Sequence, residues 1–321
     1  MQYKGTYRRG SNIKGKVARN RVKRISLSLL FIIVFIITFF LSTLKILNKF
    51  ENNISMSKEE IKRYIDITDE LSKAGYQLNW QEVASINSAL NNGSFEINNE
   101  NINNIANSFF KKDNEGNIIG INSFKAAIKS LNLDSERETL AKDNLERIKS
   151  NYLNEDLIDD RNKLGFIESI SAVAIDNYKN YGILPSITIS QAILESGWGE
   201  STLSSKYNNL FGIKADSRWD GKKVEMETKE NYDDAIVGAF RAYDNLNSSI
   251  KDHGKFLYEN ERYGANGLFE GKTYIDQAQA LEDAGYSTAK DQEGNLIYAD
   301  KLIRVIQENN LMFYDTNAER K

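Results

Sequence analysis

Glu195 closes the largely apolar stretch PSITISQAILE (185–195), and Gly197-Trp198-Gly199 follows at once. The spacing predicts a helix that starts at the chain's only proline, Pro185, and is broken by the glycines. A carboxylate at that point sits at the negative end of the helix macrodipole. Partial burial there would raise its pKa further. A carboxylic acid held protonated near neutral pH is what general acid catalysis requires. By position alone a solvated helix-end charge is the simpler reading, and the surrounding residues decide between the two.

Other chemistries are narrowed by composition. The 321 residues include no cysteine and one histidine, His253. Thiol nucleophiles, disulfides and thiolate metal sites are excluded, as is a zinc site built mainly from histidines. His253, in SIKDHGKFL, reads as a structural helix residue. Neither metal nor cofactor is expected, and hydrolysis would fall to carboxylates, with tyrosines assisting.

The charge is divided along the chain. Residues 1–24 hold nine Lys/Arg and no acid, and ISLSLLFIIVFIITFFLSTL (25–44) is free of charge. As a helix those 20 residues would span about 30 Å, the thickness of a bilayer's hydrocarbon core. Lys45 and Lys49 follow without a small-residue cleavage site, so an uncleaved anchor over 25–47 is expected, with 1–24 cytoplasmic and the rest outside. The whole chain carries −3 and its first 50 residues +11, which leaves −14 for 51–321. So acidic a portion is unsuited to holding nucleic acid through phosphate contacts. It also lacks cationic repeats that would grip an anionic wall, so localisation rests on the anchor.

Residues 51–150 read as a small juxtamembrane helical domain. Ser57 and Glu60 form a capping box, Asn79 caps the next helix, and further helices are expected at 99–111, 121–131 and 134–150. DNEGN (113–117) and DQEGN (291–295) read as turns, since the ligand spacing of a calcium loop is missing. The polar run 151–162 looks like a boundary. A helix at 164–182, the Glu195 helix, a β-hairpin lobe over 219–243, and helices at 245–259, 273–284 and 298–310 follow.

A helix ending in Glu, a small β-lobe and then more helices is a lysozyme-like layout. The motifs AILESGWGES, YNNLFGIK, ETKE, FRAYDNLNSSIKDH, YENERYGA, DAGYST and YADKLIRVI, in that order, resemble the glucosaminidase domain of bacterial autolysins, glycoside hydrolase family 73. The resemblance covers roughly 160–312. It implies a mainly α chain with an α+β lysozyme-like catalytic domain at 160–312, behind the tail, the anchor and the helical domain at 51–150. It also implies an endo-β-N-acetylglucosaminidase acting on peptidoglycan glycan strands, with Glu195 as the acid. The family's second carboxylate lies in a T-x-E pattern on the β-lobe. Thr228-Lys229-Glu230 matches it, so Glu230 takes that role, with Glu227 the alternative if the register slips. Tyr286 in GYST matches a tyrosine facing the scissile sugar, and Tyr263 in ERYG is a second cleft aromatic. Trp198 reads first as packing and second as a sugar contact. Asn209 reads as a turn former and secondarily as a substrate contact. Two other classes stay open: a lytic transglycosylase working with one glutamate, and a non-catalytic wall-binding scaffold of an envelope complex.

Overall fold

The computed structural model of the chain describes residues 56–73, 75–151, 161–230 and 234–320. The basic tail 1–24 and the anchor expected at 25–47 lie outside the described residues. Among the described residues no helix is long and apolar enough to cross a membrane.

The first layer is helical. α1 (Lys58–Ser72) opens on the expected capping box: Glu60 N–H donates to Ser57 Oγ at 3.1 Å, and Ser57 N–H to Glu60 Oε2 at 2.7 Å. α2 (Trp80–Leu90) is capped by Asn79, whose side chain accepts from Gln81 N–H. Almost every residue of α2 is buried, as fits a helix surrounded by others. α3 (Asn99–Phe109) runs directly into β1 (Phe110–Lys112), which pairs antiparallel with β2 (Ile118–Ile121). Between them Asp113 accepts from the N–H groups of Glu115 and Asn117, and Asp291 repeats this turn with Glu293 and Asn295. Helices had been expected up to 111 and from 121. The short strands on either side of the turn take residues from both. α4 (Phe124–Ser130) and α5 (Ser135–Asn151) complete the layer, α5 lying against α2.

The second part is built around one buried helix. α6 (Arg161–Tyr181) leads to α7 (Pro185–Ser196), the Glu195 helix, and to the short α8 (Thr202–Tyr207). A hairpin of β3 (Lys223–Glu230) and β4 (Asp234–Arg241) runs in unbroken antiparallel register from Lys223 opposite Arg241 to Glu230 opposite Asp234. α9 (Leu246–Glu259), α10 (Glu261–Ala265), α11 (Tyr274–Asp283), α12 (Tyr298–Glu308) and α13 (Met312–Glu319) follow. α6, α11, α12 and α13 all pack on α7. Among the described residues the fold is mainly helical with two small two-stranded sheets.

The helices expected as a domain of their own at 51–150 belong to the same compact unit as the rest, Ser55–Lys321. Polar groups tie the two parts together across long stretches of sequence. Trp80 Nε1 donates to Asn310 Oδ1 at 2.9 Å. Arg320 grips both carboxylate oxygens of Glu82, a bidentate pair that is mostly buried.

Candidate active site

α7 is anchored at its start by groups distant in sequence. Pro185 occupies the first turn, where its missing N–H costs nothing. Gln277 Oε1 accepts from Leu184 N–H, and Asp315 Oδ1 from Ser186 N–H, each at 2.8 Å. At the other end Gly197, Trp198 and Gly199 take left-handed conformations in succession, with φ of 57°, 63° and 81°. Trp198 accepts a conformation that costs a non-glycine residue roughly 1–2 kcal/mol. Gly199 is required for space as well, because a Cβ there would lie 2.8 Å from the Phe166 ring. Its N–H donates to Ser196 Oγ at 2.7 Å and pulls the chain back over the helix end.

This reversal leaves Glu195 open to solvent while Ser196 beside it is buried. Tyr298 nonetheless lies against the carboxyl, and the contact is partly buried. The resulting desolvation holds its pKa above the usual carboxylate range, against the pull of Tyr298 and Lys301. The Tyr298 hydroxyl donates to Glu195 Oε1 at 2.8 Å and accepts from Gln191 Nε2 at 3.1 Å. Gln191 lies one turn before Glu195, so the two stand on the same face of α7. With Gln191 Nε2 donating to the hydroxyl, the tyrosine proton is directed to Glu195. Oε2 has no hydrogen-bond partner among the described residues, and is the oxygen left to carry a transferable proton.

Tyr286 is half-buried and stacks on Tyr298, with centroids 5.2 Å apart and planes at 19°. It makes no hydrogen bond to Glu195; the tyrosine that touches the acid is Tyr298. Burial and the nearby Glu195 push its phenol well above its ordinary pKa, so it is neutral. Two expected substrate contacts are corrected. Tyr263 is 1% exposed and packs beneath Tyr286 and Phe256, so it is a core residue and not a cleft aromatic. Asn209 is also 1% exposed, and its amide is used up: Nδ2 donates to the carbonyls of Ile213 and Arg241, and Oδ1 accepts from Ile213 N–H. It fastens the NNLFGIK turn to β4. Trp198 is half-buried, its ring at 68° to Phe166 and 5.4 Å from Lys163 Nζ. His253 is fully buried and stacked on Phe211 at 3.7 Å, and burial lowers its pKa to about 3.

On the hairpin, Glu225 and Glu227 are exposed, whereas Val224 and Met226 are half-buried. The register sets Glu230 in the alternate series of Val224 and Met226, at the turn end of the hairpin opposite Asp234. The side chain of Glu230 lies outside the described residues.

The model of the Glucosaminidase family, described as mannosyl-glycoprotein endo-beta-N-acetylglucosaminidase, matches residues 171–311. Residues 171–311 belong to the glucosaminidase family. Exo-glucosaminidase LytG of Bacillus subtilis is 38% identical over 156 residues, which is 47% of this chain and 52% of LytG. Peptidoglycan hydrolase FlgJ of Vibrio parahaemolyticus is 35% identical over 151 residues, 44% of this chain and 46% of FlgJ. The catalytic domain of the autolysin Auto from Listeria monocytogenes is 36% identical, covers 48% of this chain and 88% of its own, and has a TM-score of 0.41. The chain spans about half the length of the curated relatives it matches. The glucosaminidase domain holds Glu195, Gln191, Tyr286 and Tyr298, while α13, which seats the start of α7 through Asp315, lies past its end. Tyr298 is the neighbour of Glu195 that sequence reasoning missed. Its available signal was a tyrosine at the first turn of the YADKL helix, one of 16 tyrosines in the chain.

Proposed function

We propose that the chain is a membrane-anchored peptidoglycan hydrolase, an endo-β-N-acetylglucosaminidase with a lysozyme-like catalytic domain and Glu195 as general acid. The observation that carries this reading is the Gln191–Tyr298–Glu195 chain at the end of α7, inside the matched family region. Tyr298 occupies Oε1, and the raised pKa keeps a proton available on Oε2. That proton passes to the glycosidic oxygen as the bond to the anomeric carbon breaks, and the oxocarbenium-like centre must then be attacked. Glu230 would supply the second carboxylate, either activating water, which inverts the centre, or attacking it, which retains it. The substrate's acetamido oxygen is a third nucleophile, with Glu230 or Tyr286 assisting. Carboxyl separations of about 6.5–9.5 Å and about 5–5.5 Å distinguish the first two routes.

The substrate follows from the family and from relatives named a peptidoglycan hydrolase and an exo-glucosaminidase. The anchor follows from the basic flank and the apolar 25–44 segment, and sets the catalytic domain on the wall side of the membrane. Digestion of purified peptidoglycan by the full chain tests the chemistry. Reducing N-acetylglucosamine ends, with fragment lengths falling from the first minutes, are expected. Anhydro-muramic ends would make the protein a lytic transglycosylase, release of small units from strand ends would make it an exo-enzyme, and no product would leave a wall-binding scaffold. For topology, the full-length protein should stay in the membrane fraction with 51–321 open to external protease on protoplasts. A soluble form starting near residue 50 would defeat the anchor.

A further inference from the structure

Tyr298 owes its position to the helix pair α11–α12, which is tied at both ends. At the active-site end, the carboxylate of Glu282 near the end of α11 accepts from Ala299 N–H at the start of α12, at 3.0 Å. At the other end both helices meet one residue from the N-terminal layer, Asp69 of α1, which is 6% exposed. Its carboxylate accepts from the Tyr274 hydroxyl at the start of α11 and from Gln307 Nε2 at the end of α12, the latter at 3.1 Å. Gln307 Nε2 also reaches the Tyr274 hydroxyl at 3.1 Å, and Gln77 Nε2 holds the other carboxylate oxygen at 3.1 Å. Trp80 adds a second tether just past α12 through Asn310.

We propose that Asp69, from outside the glucosaminidase-family region, is a positioning residue for the acid: it pins the far end of the α11–α12 pair, whose near end delivers Tyr298 to Glu195. The inference rests on the hydrolase reading above. A helix is stiff along its axis, so a shift where Gln307 is held is carried about 14 Å to Tyr298. Displacements of about 1 Å at reacting groups cost as much as 10²-fold in rate. The N-terminal layer is on this account half of the catalytic scaffold.

The test uses the full chain and turnover of defined peptidoglycan fragments. Asp69→Asn keeps the shape but brings an amide NH₂ against donors. It should lower kcat about tenfold with KM within about twofold, since substrate groups are untouched. Asp69→Asn combined with Gln307→Glu reverses donor and acceptor across the seam and should restore most of the kcat. Turnover is normalised to the folded fraction, so a role of Asp69 in stability alone would leave kcat unchanged. If Asp69→Asn fails to fold, Gln307→Met, which removes only the α12 arm at similar size, should show the same split between kcat and KM. An unimpaired Asp69→Asn or Gln307→Met, or a loss that Gln307→Glu does not relieve, overturns the inference alone. A wild-type chain without activity overturns the hydrolase reading and the inference together.

Discussion

The two ends of α7 each hold a carboxyl group, and their surroundings put them to opposite uses. At the start, Asp315 accepts from Ser186 N–H and is wholly buried, with its second oxygen unpartnered. A helix N-terminus favours an anion there. Burial outweighs it, and the pKa is pushed up to about 7. At the end of the helix, Glu195 also titrates high because protein crowds it, and the dipole adds to the effect. The difference is access. Asp315 holds its proton where no water or substrate reaches, and serves only to seat the helix. Glu195 has its raised pKa on a solvent-exposed side chain, with one oxygen bonded by Tyr298 and the other open. A raised pKa alone therefore does not single out a candidate acid; access to the carboxyl separates the two ends of α7.

The strongest way to break the comparison is to remove the proton from the exposed end. Glu195→Gln keeps size and hydrogen bonding but cannot protonate a leaving group. Hydrolysis of peptidoglycan should fall by about 10²–10⁴-fold with the circular dichroism spectrum unchanged. Near wild-type turnover would show that the exposed end is as inert as the buried one.

The hairpin supplies the next test, because the open end of α7 needs a partner that the buried end does not. Glu230→Gln should cut turnover by about 10²-fold, while Glu225→Gln and Glu227→Gln, exposed on the alternate register series, should cost less than about threefold. A severe loss in Glu227→Gln with Glu230→Gln active would assign the role to the other series. Full activity in all three would point to the substrate's own acetamido group.

Tyr298→Phe sharpens the contrast by freeing Oε1. The phenol proton stabilises the carboxylate and so holds the Glu195 pKa down; without it the pKa rises further. The alkaline limb of the kcat–pH profile should therefore move to higher pH, while kcat at its optimum falls about tenfold as the acid loses its fixed orientation. Tyr286→Phe keeps the stack on Tyr298 and should leave the limb where it is. Identical profiles for wild type and Tyr298→Phe would detach Tyr298 from the acid.

Legibility in the sequence followed range. The Ser57–Glu60 capping box, the Asn79 cap, the start of α7 at Pro185 and its stop at Gly197 are local devices, and each stood where the residues placed it. The strands beside the 113–117 turn were missed because Phe110 and Ile121 also satisfy helical spacing, and pairing across the turn decided the matter. The helix end that presents Glu195 was readable from its own segment. Its tyrosine was not, because Tyr298 lies 103 residues away and only packing of α12 on α7 selects it. Asn209 formed the turn expected of it, but its second reading as a substrate contact, like the cleft reading of Tyr263, missed that tertiary neighbours had already taken those side chains. The union of the N-terminal layer with the glucosaminidase domain depends on pairs such as Asp69 with Tyr274, 205 residues apart, which no spacing announces.

The smallest effect belongs to the buried end of α7, and it concerns stability and not turnover. Asp315 has a folded pKa near 7 against about 3.9 in an unfolded chain. Between those values the native state keeps a proton that the unfolded state has released, so stability falls as pH rises. The contribution is fully present below about pH 4 and is lost as pH passes through about 7. Asp315→Asn cannot titrate, yet its side-chain oxygen can still accept from Ser186 N–H. Glu319, one turn further along α13, is pushed up to about 9 by burial and by Asp315, so the neutral Asn also relieves part of its shift and lessens its share of the slope. Thermal midpoints measured from pH 4 to 8 should thus fall less in Asp315→Asn than in wild type. The gap should amount to several degrees, at roughly 2–4 °C per kcal/mol for a domain of this size. Parallel curves would mean that Asp315 is ionised in the folded protein, and that the N-terminal dipole, not burial, governs that end of the helix.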